Sequence, residues 1–241
     1  MTPFLQAIRT AAREIAAELE KGWRYAYAVK GEVGAGGDRS AGIDRLAEKI
    51  YIRHLAPFGA IDSEECGLIG EGEATVVLDP IDGSDNAISG LPYFGSSVAL
   101  TRNGRTEEGV VVNLANGDCF YKGEEGLLKG SLLHDRFEPV RKRELSTVGI
   151  FEKAYAHPDL ALALLRRKMK FRSPGAVALS LAYAHNVDFV IFAGPRRTYD
   201  FAAALWMCED LEVVKEEALL IVAKEEETAR RLLRMAHAEE G

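Results

Sequence analysis

Positive charge, cysteine and long apolar runs are what this 241-residue chain has least of. Thirty Lys and Arg stand against thirty-seven Asp and Glu, a net charge of -7, the opposite of the basic footprint that a polynucleotide partner needs. No nucleic-acid partner is expected. No stretch stays apolar for the roughly 20 residues of a bilayer-spanning helix, so no membrane partner is expected either. Cys66, Cys119 and Cys208 are scattered, with no C-x-x-C pair, which leaves no disulfide framework and no thiolate zinc site; they read as reduced thiols of a cytoplasmic protein. Gln6 is the only glutamine and asparagine is sparse, a composition seen in heat-adapted proteins. The histidines, His54, His134, His157, His185 and His237, are dispersed, and the chemistry below needs none of them.

What remains is the composition of a globular protein, 47% hydrophobic and 28% charged, long enough for one large domain or two tightly joined lobes. Thr2 as N-cap and Pro3 at the first helical position open a helix over 3–21, with Phe4, Ile8, Ile15 and Leu19 at helical spacing and Gly22 ending it. Arg9, Arg13 and Glu14 inside it exclude a signal-peptide core. Lys30 to Asp38 holds Gly31, Gly34, Gly36 and Gly37 with almost no apolar content and reads as a mobile loop closed by Asp38. A helix is expected from Ile43, a short strand at 60–62, and a strand buried on both faces at Thr75–Leu78, with Asp79 at its C-terminal end. Asn103-Gly104 and Asn116-Gly117 then join strands into a meander.

Residues 131–147 are charged and poorly periodic, a connection between lobes. Beyond them the pattern alternates: strand 147–151, helix 158–169, helix 175–185, strand 189–192, helix 200–208, and a last helix rich in Glu and Arg that reads as solvated. The expected fold is α/β in layers of helix and sheet, with an N-terminal α+β lobe at 1–130 and a C-terminal α/β lobe at 131–241.

The chemistry concentrates at Asp79-Pro80-Ile81-Asp82-Gly83-Ser84, where a buried strand gives way to a helix. Two carboxylates at one turn can share hard divalent cations such as Mg²⁺ or Mn²⁺, and Pro80 fixes the turn so that the Ile81 carbonyl can point inward. The N–H groups of Gly83, Ser84 and Asp85 at a helix start form an anion cradle. Alone, the motif reads equally as an Asp-initiated turn with Ser84 as a helix cap. It is not alone: Glu64-Glu65 lies at another strand exit, and Asp38 and Asp44 flank the glycine loop. The D-x-D-G-[ST] motif of haloacid-dehalogenase-type phosphatases is a competitor, but it has one residue between its acids where this chain has two.

D-P-I-D-G-S followed by Asn86, G-L-P-Y-F-G-S-S-V-A-L at 90–100, S-E-E at 63–65 and the pair Asp38 and Asp44 resemble the motifs of one family. Tyr199-Asp200-Phe201-Ala202-Ala203 is similar to its W-D-x-A-A motif, and Arg172-Ser173-Pro174-Gly175-Ala176 to its R-x-x-G-[ST] turn. The family is that of the Mg²⁺-dependent, lithium-sensitive inositol monophosphatases and fructose-1,6-bisphosphatases, and the likeness runs to about residue 210. The resemblance implies a sugar phosphatase fold, a homodimer and two or three Mg²⁺ ions, with Mn²⁺ an alternative. It assigns Glu64, Asp79 and the Ile81 carbonyl to a first metal, and Asp79, Asp82 and Asp200 to a second. A third would draw on Asp44, Glu64 and Asp38, the last delivered when the loop closes. A metal-activated water, oriented by Ser84 with Glu64 or Asp44 nearby, would attack phosphorus in line without a phosphoenzyme.

Departures from the family pattern bear on substrate. Ala193 stands where the family's animal inositol monophosphatases carry an acid, and Arg196 and Arg197 precede Asp200. With Arg172 near the Gly175-Ala176 turn, these arginines could meet a second anionic group. That looks like the archaeal dual-activity enzymes that accept fructose 1,6-bisphosphate as well as inositol 1-phosphate, so the expected partner is a small sugar or cyclitol phosphate. Cys208-Glu209-Asp210 replaces the family's E-A-G-G turn, which points to a rearranged C-terminal layer. A 3'-phosphoadenosine-type nucleotide phosphatase and a catalytically silent binding relative are the alternatives.

Overall fold

The structure, a computed structural model, describes residues 1–238. Helix α1 (Pro3–Glu20) starts as its sequence predicts: Leu5 N–H donates to the Thr2 hydroxyl at 3.2 Å, and Phe4, Leu5, Ile8, Ala11, Ala12 and Ile15 form one buried face. Arg9, read as an interruption, lies within that face only 2% exposed, pairing with Asp135 at 2.7 Å and donating to the carbonyls of Ser131 and His134. A short α2 (Tyr25–Ala28) precedes the glycine-rich loop, and α3 (Gly42–Leu55) packs beside α1.

These helices cover one face of an eight-stranded sheet. Its strands are β1 (Ala60–Ser63), β2 (Gly67–Ile69), β3 (Ala74–Asp82) and, after helix α4 (Ser84–Ser89), β4 (Gly95–Arg102), β5 (Arg105–Asn113), β6 (Asp118–Gly123), β7 (Gly126–Ser131) and β8 (Glu138–Pro139). The order is β2-β1-β3-β4-β5-β6-β7-β8, antiparallel except that β1 runs parallel to β3. The meander therefore has two strands that the sequence pattern did not mark, β7 ahead of the expected connection and β8 within it. Along β3, Val76 and Leu78 face the α1/α3 core and Val77 the opposite core, which is why the run is apolar at every position.

A second, five-stranded sheet holds β9 (Gly149–Glu152), β10 (Phe171–Arg172), β11 (Phe189–Ala193), β12 (Glu212–Lys215) and β13 (Leu219–Ala223) in the order β10-β9-β11-β13-β12. Between them in sequence come α5 (Pro158–Arg166), α6 (Val177–Ala182) and α7 (Thr198–Phe201), and α8 (Glu226–Ala238) follows β13. Helices α6 and α7 lie between the sheets, in a core that joins Val77, Ala99, Val111 and Phe120 to Ile150, Val190, Phe192 and Val222. Helices α5 and α8 cover the outer face of the second sheet. The result is the layered α/β arrangement expected, helix-sheet-helix-sheet-helix.

Several expectations need correction. The helix over 200–208 is instead the single turn α7 followed by a 3-10 turn at Trp206–Cys208, and the helix over 175–185 is α6 with a 3-10 turn at Ala184–Asn186. The hairpin β12–β13 was not anticipated. Helix α8 is not solvated all round: Ala229, Leu232, Met235 and Ala236 are buried against β11, β13 and α5, a four-residue stripe that its charge count hides. The first sheet ends at Pro139 and the second begins at Gly149, and we propose 140–148, rather than 130/131, as the joint between two lobes.

Candidate active site

The site is built at the end of β3. Asp79 pairs with Ser97 and Asp82 with Gly95, so Pro80 and Ile81 together face Ser96 alone, a β-bulge. Proline suits a bulge because it has no N–H to leave unpaired, and the Ser96 hydroxyl donates to the Pro80 carbonyl at 2.7 Å. Gly83, at φ 85°, turns the chain into α4. A Cβ there would lie 3.0 Å from the Ala176 Cβ and 3.1 Å from the Gly175 carbonyl, so only glycine lets the turn at 173–176 approach.

Strand β1 ends alongside β3, Ser63 opposite Leu78, and Glu64 N–H donates to the Leu78 carbonyl at 3.0 Å. Glu64 is thereby set beside Asp79. Helix α7, packed on β3 within the inter-sheet core, supplies Asp200. Carboxylate oxygens of Glu64, Asp79 and Asp200 all lie within 4.8 Å of one another. Asp82 is buried next to them and accepts the Leu179 N–H at 2.9 Å. Asp44, in the first turn of α3, accepts the Ala41 N–H through Oδ2 at 2.6 Å, while its Oδ1 is buried without a hydrogen-bond partner among the described residues.

One cavity of about 500 Å³ gathers Asp38, Asp44, Glu64, Asp79, Ile81, Asp82, Gly83, Ser84, Asp85, Gly175, Arg197 and Asp200. Those are residues the sequence singled out. The glycine loop is seated on its rim: Gly36 N–H donates to the Glu64 carbonyl at 2.7 Å and Ala35 N–H to the Glu65 carbonyl at 3.1 Å. A Cβ on Gly36 would lie 2.5 Å from the Glu64 Cγ, which explains why the loop is glycine at that contact.

So many buried acids disfavour their own ionisation. Desolvation, reinforced by neighbouring carboxylates, pushes Asp44 up to about 6, Glu64 to about 7 and Glu65 to about 8, and holds Asp79 and Asp82 well above the usual carboxylate range. Lys30, Arg39 and Lys153 line the same cavity, and the cation bonded directly to Glu64 and Asp200 is Arg197. Its Nη1 reaches Glu64 at 2.5 Å and Asp38 at 2.8 Å, and its Nε and Nη2 reach the two oxygens of Asp200 at 3.0 and 3.2 Å. Four cations do not balance the nine carboxylates of that lining. An all-oxygen donor set, excess negative charge and an orphaned Asp44 oxygen fit hard divalent cations.

Other expected substrate residues lie elsewhere. Arg196 donates to the carbonyls of Glu216 and Leu219 at 2.5 and 3.2 Å, tying down the β12–β13 turn, and does not line the cavity. Arg172 is exposed, donates to its own neighbour's carbonyl at Phe171, and is also outside the lining. Ala176 is buried, its N–H given to Glu152 at 3.4 Å. Glu152 itself was missed: it is fully buried at the end of β9 and accepts the Gly175 N–H at 2.9 Å as well as the Ser180 hydroxyl at 2.5 Å, which holds the 173–176 turn against the cavity. Its signal was a lone acid after Ile150-Phe151, the same strand-end placement as Asp79. Lys153 and Tyr155 also line the cavity.

The departure at 208–210 falls in the inter-sheet packing. Cys208 is buried in the shared core, Glu209 pairs with Lys122 at 2.6 Å, and Asp210 lies 2.9 Å from His185 Nε2.

The model of the inositol monophosphatase family matches residues 1–211. The chain belongs to the inositol monophosphatase family. This is a family of metal-dependent phosphoric monoester hydrolases, the class expected from the acidic motifs. The chain is 30% identical to a fructose-1,6-bisphosphatase of Pyrococcus furiosus over 63% of its length, and 31% identical to a fructose-1,6-bisphosphatase/inositol-1-monophosphatase of Methanocaldococcus jannaschii over 72%. It is 29% identical to a Nus factor SuhB of Pasteurella multocida over 84%. The matched stretches span 58%, 69% and 80% of those relatives' own lengths. A bifunctional NADP phosphatase/NAD kinase of Methanococcus maripaludis is 29% identical over 71% of this chain and 36% of that protein. In fold, the chain superposes on the crystal structure of an inositol monophosphatase-fructose 1,6-bisphosphatase with a TM-score of 0.79 and 23% identity, covering 98% of this chain and all of that one.

Proposed function

We propose that this protein is a Mg²⁺-dependent phosphomonoesterase that removes the 1-phosphate from fructose 1,6-bisphosphate, inositol 1-phosphate or both. The observation that carries the reading is the convergence of Glu64, Asp79 and Asp200, from three separate elements, within 4.8 Å in one cavity. Glu64, Asp79 and the Ile81 carbonyl would hold one cation, and Asp79, Asp82 and Asp200 a second, with Asp44 and Asp38 contributing to a weaker third. Bound Mg²⁺, or Mn²⁺, supplies Lewis acidity toward the phosphate and a lowered pKa for water.

The chain's own groups do the rest. The bond from Asn86 N–H to the Gly83 carbonyl opens α4, so the N–H groups of Gly83, Ser84 and Asp85 precede that ladder and would serve phosphate oxygens. Asp44 Oδ1, without a hydrogen-bond partner among the described residues, would take a proton from water, and the Ser84 hydroxyl, lining the same cavity, would orient that water. Glu152 fixes the opposite wall through the Gly175 and Ala176 N–H groups. A homodimeric, cytoplasmic enzyme belongs to the same proposal.

A second reading, a nucleotide 2'- or 3'-phosphatase, is favoured by Tyr155, a ring 83% exposed at the cavity wall on which a base could stack. Phosphate release from fructose 1,6-bisphosphate, inositol 1-phosphate, NADP⁺ and 3'-phosphoadenosine 5'-phosphate, with Mg²⁺ or with EDTA, tests both. Turnover of the first two that EDTA abolishes is expected. Release from the nucleotides alone would replace the first reading by the second, and Mg²⁺-independent or absent turnover on all four would overturn both.

A further inference from the structure

We infer that Arg197 is a built-in competitor for the divalent-cation site, so that its guanidinium occupies the carboxylates in the metal-free protein and must be displaced from them when a cation enters. The inference rests on the metal reading above and adds what sets the strength of binding. Three groups define the place where one cation could be shared, Glu64, Asp79 and Asp200. Arg197 already engages two of them: Glu64 through Oε1, and Asp200 through both of its oxygens. Such forked, charge-assisted contacts are among the strongest available to a side chain. A cation taking these oxygens therefore competes with bonds the protein already has, besides the positive charge beside it.

The backbone explains why this arginine does so and its neighbour does not. Arg197 immediately precedes the first turn of α7 and Asp200 is three residues on, so both project from one turn toward the cavity. Arg196 is committed to the Glu216 and Leu219 carbonyls. The same fork reaches Asp38 at 2.8 Å, a side chain 85% exposed on the glycine loop. Arg197 thus links the loop, the exit of β1 and α7, three elements that a cation would otherwise have to draw together. Its loss removes both a rival for the oxygens and the only hydrogen-bonding partner that the Asp38 carboxylate has among the described residues.

Calorimetric titration of Mg²⁺ and of Mn²⁺ into the metal-free parent, R197M and R197K tests this without reference to turnover. R197M removes the charge at similar volume; R197K keeps the charge but lacks the fork. With circular dichroism confirming the fold, R197M should bind roughly tenfold tighter or more, the worth of one or two charge-assisted contacts. R197K should lie between R197M and the parent. In EDTA, R197M should melt below the parent, and saturating Mg²⁺ should close that gap. If charge alone mattered, R197K would match the parent, and occupation of the oxygens would be disproved. If Arg197 instead orients the carboxylates around the cation, both variants would bind more weakly, which also overturns the inference. No binding by the parent or either variant would overturn the metal reading itself, and with it this inference. If R197M does not fold, R197K decides.

Discussion

Asp82 is the residue at which charge and volume separate most cleanly. It is buried beside Asp79 and Asp200, and its Oδ2 accepts the Leu179 N–H, a bond an asparagine carbonyl can keep. Asp82→Asn should therefore fold as the parent does, with a melting temperature in EDTA equal or higher, because a group whose charged form burial disfavours is gone. Its turnover should fall by at least about a hundredfold, because a charged ligand is gone as well. Steady-state phosphate release within about tenfold of the parent would remove Asp82 from the metal assignment. The acids of this motif were legible in the sequence because they are local: D-P-I-D-G-S lies at one strand end, and its spacing states its geometry. Arg197 was legible as a charge near Asp200, but its contacts to Glu64 and Asp38 span more than a hundred residues, and no spacing announces them. Arg196, next to it and identical in type, went the other way because two turn carbonyls lay within its reach.

Among elements, the start of α4 and the 173–176 turn constrain each other. Gly83→Ala places a Cβ at φ 85° against Ala176 and Gly175, which should cost roughly 1–3 kcal/mol and move the turn away from the cavity. Urea unfolding reads the first effect and kcat the second; a variant unchanged in both would mean that the two walls do not depend on this contact. Helix α8 makes the complementary case far from the site. Leu232 is fully buried in the outer core, so Leu232→Ala should destabilise by about 2–5 kcal/mol while Mg²⁺ affinity stays as in the parent. A loss below 0.5 kcal/mol, roughly that of a surface substitution, would restore the solvated reading of this helix. Elements with strong local signals, such as α1 with its cap and β3 with its unbroken apolar run, could be placed from sequence. Helices α6 and α7 could not be delimited, since both are short, lie between two sheets and start without a side-chain cap that the sequence could announce.

For the molecule as a whole, the concentration of buried acids at one point ties stability to pH. Asp44, Glu64 and Glu65 are held at about 6, 7 and 8 in the folded protein, above their ordinary values near 4. Below those ordinary values both folded and unfolded chains carry the protons, and there is no effect. As pH rises from about 4 to about 8 the unfolded chain releases protons that the folded one retains, so folding loses stability across that window. Metal-free protein should accordingly melt lower at pH 8 than at pH 5.5. Saturating Mg²⁺ should remove or reverse the difference, because cations replace the protons. Differential scanning calorimetry at the two pH values, with EDTA and with Mg²⁺, checks this; a metal-free protein that melts higher at pH 8 would contradict it.

The cavity has walls from different sheets. Glu64, Asp79 and Asp82 hang from the first; the 173–176 turn follows β10 of the second, and Asp200 comes from α7 between the two. The Asn86 side chain spans them, its amide donating to the carbonyls of Tyr93 at 2.7 Å and Pro174 at 2.6 Å. Synthesis runs from the N-terminus, so a growing chain exposes most of its acids well before Asp200 exists to close the ring. A half-made molecule holds the ingredients of a phosphatase without the geometry of one. The last pieces to arrive complete the site, and the protein acquires its chemistry only once its own two halves have met.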